Sequence, residues 1–187
     1  MKSPIVPINE IQRLAALKRS KLLDTSAEEV FDGFTKLASQ ICNTPIALIT
    51  LITLVDDTSQ WFKSNIGLDV SETPREVSFC GHAILGSELF EIPDALKDER
   101  FQENPLVVNE PKIRFYAGMP LITNGGYALG TLCVIDKTPR HLTQEQRTAL
   151  QMLGRLVVTL IEYRLSIIET SLVNHGLAEH LAVSPVK

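Results

Sequence analysis

The segment VSFCGHAIL, residues 77–85, sets a cysteine and a histidine two positions apart, Cys80 and His82, where an extended stretch gives way to a helix. Four roles suit such a pair: a nucleophile with its base, half of a metal site, an attachment point for a chromophore, or plain core. Ser78 precedes the helix, so Cys80 falls in its first turn, where the macrodipole favours a thiolate. A nucleophilic pair needs the histidine within hydrogen-bond distance and a third group to orient it. Residues two apart on a helix point to different sides, so Cys80 and His82 do not meet. A structural zinc site needs four ligands, and no others stand nearby at a recognisable spacing. Cys42 and Cys133 can join only through the fold. The favoured reading is a small buried hydrophobe at Cys80 and a histidine that lines or caps a cavity.

The rest of the chain must supply the elements that position this pair. Its 187 residues are 44% hydrophobic and 21% charged, the balance of one soluble globular domain with a substantial core. A net charge of −4 without a basic stripe gives no electrostatic reason to expect nucleic acid or an anionic membrane surface as partner. Three cysteines without framework spacing argue against disulfide stapling and fit a reducing compartment. MKSPIVPINE lacks the apolar region of a secretory signal, and the longest apolar run, PIALITLITLV, is too short to cross a bilayer. The expectation is a cytoplasmic protein.

Apolar positions Ile8, Ile11, Leu14, Ala15 and Leu22 predict a first helix over 8–22, with Asn9 as its cap. A second follows in DTSAEEVFDGFTKLASQIC, where Thr25 with Glu28, or Ser26 with Glu29, has capping-box spacing. Val30, Phe31, Phe34, Leu37, Ala38 and Ile41 share one face of it. From Ile46 to Val55 both alternating sets are apolar: Ile46, Leu48, Ile52 and Leu54 on one side, Ala47, Ile49, Leu51 and Val55 on the other. Such a strand needs cover on both faces and belongs in mid-sheet. SQWFKSNIG reads as its hairpin partner, closed by Gly67, and LFEIPDAL as a short strand broken by Pro93 and kept from the sheet centre. DERFQENPLV reads as a short helix carrying Asp98, Arg100 and Asn104 and stopped by Pro105.

Two strand-like runs flank Asn124-Gly125-Gly126, the pattern of a hairpin, and Thr143 with Gln146 caps a long helix from Gln144 to about Leu172. Along it Ala149, Leu153, Leu156, Leu160, Tyr163 and Ile167 alternate steps of four and three, beside a second stripe of Leu150, Val157, Ile161, Arg164 and Ile168. One face can cover a sheet while the other meets a second copy in a homodimer. The closing NHGLAEHLAVSPVK is expected to fray. The fold class is therefore α+β: a mostly antiparallel central sheet with helices on one face. The crossover between residues 66 and 113 roofs a pocket on the other face.

Six blocks in series, LDTSAEEVFDGFTKLASQICNTPIALITLI, SQWFKSNIGL, PREVSFCGHAI, DERFQENPLV, IRFYAGMPL and LGTLCVIDKTPR, resemble the GAF domains found at the N-termini of bacterial sensor histidine kinases and diguanylate cyclases. The resemblance spans roughly residues 10–165. It divides the chain into an N-terminal helix (1–22), a GAF domain (23–165), and a helix end with a flexible tail (166–187). It implies a sheet, a helical layer, a ligand cavity opposite, and signalling through the C-terminal helix to a kinase or cyclase output module.

Within these blocks an inward Arg100 would anchor an anion or planar amide through its forked guanidinium, while an Arg100 paired with Asp94 or Asp98 would only hold its loop. Phe115 and Tyr116 lie on a strand beside small residues, so alternation sends one ring inward. Trp61 is a lid or plain packing. The ligand-binding candidates are Trp61, Phe79, Cys80, His82, Asp94, Arg100, Phe101, Asn104, Phe115 and Tyr116; no catalytic residue, metal ligand or cofactor is assigned. Bilin-attaching GAF domains usually carry histidine directly after the cysteine, and here Gly81 intervenes. The three cysteines do not visibly match the set of GAF proteins that reduce free methionine sulfoxide, and the Asn-Lys…Phe…Asp-Glu pattern of cyclic-nucleotide binders is absent. The expected function is a non-catalytic sensory or regulatory module that binds a small molecule, dimerises, or both. The alternatives are a thiol-dependent reductase of the same fold and a pure dimerisation scaffold.

Overall fold

The computed structural model describes residues 1–52 and 59–182, with side chains as far as Ser171. Along the chain run α1 (Glu10–Ser20), α2 (Glu29–Cys42), β1 (Ile46–Ile52), β2 (Ser59–Ile66), β3 (Glu72–Pro74), a 3₁₀ turn at Arg75–Val77, α3 (Phe79–Ala83), β4 (Phe90–Ile92), α4 (Pro105–Val108), β5 (Phe115–Ile122), β6 (Ala128–Asp136) and α5 (Gln144–Ala182). The strands form one six-stranded sheet in the order β3-β2-β1-β6-β5-β4, with every pairing antiparallel.

β1 is buried along its whole length, as its two apolar sets require. Ala47, Ile49 and Leu51 join Phe31, Ala38, Leu150, Val157 and Ile161 in a core under the helices α2 and α5. Ile46, Leu48 and Ile52 join Phe79, Ala83, Ile92, Phe101 and Tyr116 in a second core under the crossover. Leu54 and Val55 lie outside the described residues. β4, short and ended before Pro93, takes the sheet edge. At the β5–β6 turn only Gly126, with φ of +80°, uses the left-handed region. The Thr143–Gln146 capping box closes in both directions, the Thr143 N–H donating to Oε1 of Gln146 at 3.0 Å and the Gln146 N–H to Oγ1 of Thr143 at 3.2 Å.

Four expectations are corrected. The apolar stripe expected along the first helix divides: Ile8, Ile11 and Ala15 are exposed, Leu14 is half-buried, Leu22 is buried beyond the helix end, and the inward face of α1 is Glu10, Arg13, Ala16, Leu17 and Ser20. The reason is a buried demand for donors. Arg13 donates to the carbonyls of Ile52 (2.8 Å) and Ala128 (3.3 Å) and pairs with Glu10 (2.7 Å), which also accepts from Arg75 (2.6 Å). Secondly, neither capping box of α2 forms. The buried Lys63 ammonium takes Oγ1 of Thr25 (2.6 Å), the carbonyl of Ser26 (2.9 Å) and the carboxylate of Glu28 (2.6 Å), so those acceptors are spent on a charge that burial would otherwise penalise. Thirdly, Pro105 opens a helix instead of stopping one, standing in its first turn while Asn104 caps it through Leu106 N–H at 2.9 Å. Finally, α5, expected to end near Leu172, continues to Ala182.

α5 divides as its two stripes suggest. Leu150, Val157 and Ile161 are buried on the sheet, whereas Met152, Leu156, Tyr163 and Ile167 are exposed. Leu153, of the first stripe, is buried with the second. None of the described helices is long and apolar enough to cross a membrane.

Candidate functional site

The site is assembled around Ser78. Its extended backbone ends the 3₁₀ turn, and its hydroxyl accepts from the Gly81 N–H at 2.9 Å while donating to Oε1 of Gln60 on β2. That cap fixes the first turn of α3 against the sheet and aims Cys80 at β5 and β6. The Tyr116 hydroxyl donates to Sγ of Cys80 at 3.2 Å, and Sγ of Cys133 stands 3.9 Å away. Thr50 and Thr131 complete this buried polar cluster, their hydroxyl oxygens 3.1 Å apart.

Beside the cluster opens a cavity of about 320 Å³ between β1, β2, β5 and β6 and the crossover. Its wall is mainly Leu48, Phe62, Leu68, Val70, Phe79, Cys80, Leu106, Ile113, Tyr116 and Ile135. Gln60, Thr73 and Ser78 supply polarity, and Asp69 and Glu110 the only charges; no Lys, Arg or His lines it among the described residues. The buried Thr73 hydroxyl has no hydrogen-bond partner among the described residues.

The candidates divide by position. Phe79, Cys80 and Tyr116 line the cavity. Phe101 lies behind them, stacked on Phe79 with centroids 4.0 Å apart. His82 is turned away from Cys80, its edge against Phe101 and its Nε2–H donating to the carbonyl of Lys2 at 3.0 Å. Burial lowers its pKa, and the charge of Arg100 adds to that against the opposing pull of Lys2 and Asp98. Arg100 follows the second of its two readings. It forms a two-pronged pair with Asp98 (2.9 and 2.6 Å) and lies over Phe90 and Phe101, and that pairing holds the Asp98 carboxyl below its usual range. Asn104 is spent on capping α4 and on the Val77 carbonyl at 2.9 Å. Asp94 caps its own loop at Leu96. Phe115 and Trp61 sit on the helical side of the sheet, Phe115 in its core and Trp61 beside a depression between α1 and β2.

Thr50, Thr131 and Cys133 were not among the candidates. The available signal was polar residues inside otherwise apolar strands: Thr131 and Cys133 alternate onto one face of β6, and Thr50 is the direct partner of Thr131. Burial raises both thiols, but the hydrogen bond between them acts on the two in opposite directions. Burial raises Cys80, but hydrogen bonds with Cys133, Thr131, Tyr116 and Thr50 prevail and lower it. Burial and the neighbouring Cys80 push Cys133 well up, so Cys80 ionises first. No group of three or more His, Cys, Asp or Glu among the described residues could hold a metal ion.

A family model for the GAF domain matches residues 26–161. Among curated proteins, a cyclic di-GMP phosphodiesterase of Pseudomonas aeruginosa is 46% identical over 162 residues, which is 86% of this chain and 27% of that enzyme. Among solved structures, a domain assigned to a two-component sensor histidine kinase of Sinorhizobium meliloti superposes with a TM-score of 0.60 at 15% identity, over 79% of this chain and 99% of that one. A type II free methionine-R-sulfoxide reductase of Thermoplasma acidophilum gives a TM-score of 0.58 at 10% identity, over 79% and 96%. At such identities the likeness is one of fold, and the same fold carries both a sensor-kinase domain and a reductase.

Proposed function

Because this chain belongs to the GAF domain family, we propose that it is a non-catalytic sensory module whose cavity takes a small molecule and whose α5 passes the outcome to an output module. The cavity lining carries this reading. A pocket walled by aliphatic and aromatic side chains, with a few polar groups at one end, is the usual form of a small-molecule site. Its lining also constrains the ligand. An anion such as a cyclic nucleotide needs a cation or convergent donors to repay its desolvation, and the described wall offers only carboxylates as charges. The preferred ligand is neutral or cationic, mainly apolar, with one hydrogen-bonding group for Thr73 or Gln60.

The output reading draws on the relative. A stretch of a longer cyclic di-GMP phosphodiesterase is 46% identical to most of this chain. That supports an enzyme of second-messenger metabolism, or a kinase as in the sensor structure, as the module α5 serves. The outward apolar side chains of α5 support a homodimer as the working unit.

The test is native mass spectrometry of the purified protein for a retained molecule, joined to a thermal-shift series of neutral aromatic alcohols against cyclic nucleotides. Stabilisation by the alcohols, abolished in Leu68→Trp because the indole fills the cavity, is the expected result. Stabilisation by the nucleotides alone would overturn the ligand class. No shift with any compound and no retained mass would leave a dimerisation scaffold.

A further inference from the structure

Cys80 of the cavity wall meets a second thiol behind it, and the proposed ligand contacts at Thr73 and Gln60 do not require that pairing. Cys80 and Cys133, 53 positions apart in sequence, bring their sulfurs to 3.9 Å, and both are free thiols. We propose that Cys80 and Cys133 are a redox-active pair that closes to a reversible disulfide when a small hydroperoxide enters the cavity.

Position gives the two thiols different parts. Cys80 lines the cavity, so a molecule entering it meets this sulfur first, and it lies on a helix of only five residues. Cys133 lies in β6, held between β1 and β5, and is wholly buried. Cys80 is also the thiol that receives the Tyr116 hydroxyl hydrogen, which favours its thiolate. Its sulfur attacks one peroxide oxygen: an S–O bond forms, the O–O bond breaks, and the departing oxygen leaves as water or an alcohol after taking a proton. The sulfur of Cys133 then attacks that of Cys80. The S–S bond forms, the S–O bond breaks, and hydroxide leaves with the Cys133 proton as water. Two thiols lose two electrons and two protons, and the peroxide gains them. A dithiol reductant reverses the change by exchange. Closing the bond requires the sulfurs to approach by about 1.9 Å. The yielding partner is α3, whose movement carries Phe79 and alters the cavity wall. The event is stoichiometric, and it needs the cavity only as the peroxide's way in, so it can fail while the sensory reading stands.

Cys42 is an internal control. It lies in the core on the other side of the sheet, and burial pushes its thiol up to about 11 against a small opposing effect of Arg140. The reduced full chain is treated with hydrogen peroxide, alkylated with N-ethylmaleimide, digested and mapped by mass spectrometry. The expected product is a Cys80–Cys133 peptide pair lighter by two hydrogens, with Cys42 alkylated, and the pair disappears on adding dithiothreitol. Cys133→Ala is expected to lose the linkage and instead give a dimedone adduct on Cys80, the trapped sulfenic acid. The wild-type map needs no variant to fold. Oxidation of Cys42 before the pair would overturn the proposal, as would oxidation of Cys80 in wild type without linkage to Cys133. So would thiols that react only after denaturation.

Discussion

Tyr116 reaches Cys80 across a position that has no side chain. Gly118 follows it on the same face of β5 and faces Cys133 in the register with β6. A Cβ at 118 would meet Cζ of Tyr116 at 2.7 Å and Cε1 at 3.0 Å. The ring has little room to retreat, because Phe79 stacks on it at 5.2 Å. Gly118→Ala is therefore expected to cost about 1–3 kcal/mol, the usual range for overpacking a core, and to swing the hydroxyl away from the thiol. Thermal unfolding and near-ultraviolet circular dichroism read both effects, and a variant identical to wild type in the two would refute this account of the glycine. The rest of the polar cluster was hidden from sequence reading for a physical reason. Thr50 and Thr131 are 81 positions apart, and Cys80 and Cys133 come from a helix and a strand. Register across three strands brings them together, and no local spacing encodes that register. The separation of Cys80 from His82, by contrast, is a local property of a helix and was legible.

Among the elements, the sheet strands were the most legible and α1 the least. β1 declares its two buried faces because both alternating sets are apolar, and the long helix declares its start because Thr143 and Gln146 stand three apart. α1 is held by charge. Its inward Arg13 and Glu10 look like solvent-facing residues in a sequence, and their burial is explained by the carbonyls of Ile52 and Ala128, which accept from Arg13, and by Arg75, which donates to Glu10. Removing one partner from such a group strands the others, so Arg13→Met is expected to cost about 3–5 kcal/mol in a urea titration, far above the effect of a surface substitution. A pH dependence follows from the same group. Burial raises the Glu10 carboxyl, but hydrogen bonds from Arg13 and Arg75 prevail and hold it below its ordinary 4.5. The folded chain then binds fewer protons than the unfolded one, so this stability is present above about pH 4.5 and lost as pH falls through the folded-state value. Glu10→Gln should lower the urea midpoint at neutral pH and flatten its decline in acid. An acid limb unchanged by the substitution would assign acid sensitivity to other carboxylates, of which Glu28, raised by burial but brought below its usual value by Lys63 and Arg164, is the first to test.

For the whole molecule, the question is how a cavity on one side of the sheet can speak to a helix on the other. α5 is 39 residues long, roughly 58 Å at the helical rise, and its last wholly buried residue is Ile161, with the half-buried Leu165 still packed on the core. A further tether follows at Arg164, which pairs with Glu28 at 2.7 Å, and Glu28 also binds Lys63 of β2. Movement of β2 at the cavity wall thus has a path of ion pairs to the point where α5 leaves its last wholly buried contact. The outward residues Met152, Leu156, Tyr163 and Ile167 run past that point, and Val30, Leu37 and Ile41 of α2 are exposed as well. Surface this apolar is the mark of an interaction site, and steps of four, seven and four keep these α5 residues on one helix face, as a seam between copies requires. Leu156→Asp with Ile167→Asp puts carboxylates into that seam, where like charges would face each other across the axis. Sedimentation equilibrium is expected to show wild type as a dimer and the double variant at half its mass. Circular dichroism should show the sheet and the sheet-packed part of α5 unchanged, because neither residue is buried in the single chain. A wild type that remains monomeric at high concentration, or a double variant that still dimerises, would remove α5 as the seam and leave the ion-pair path without a second copy to act upon.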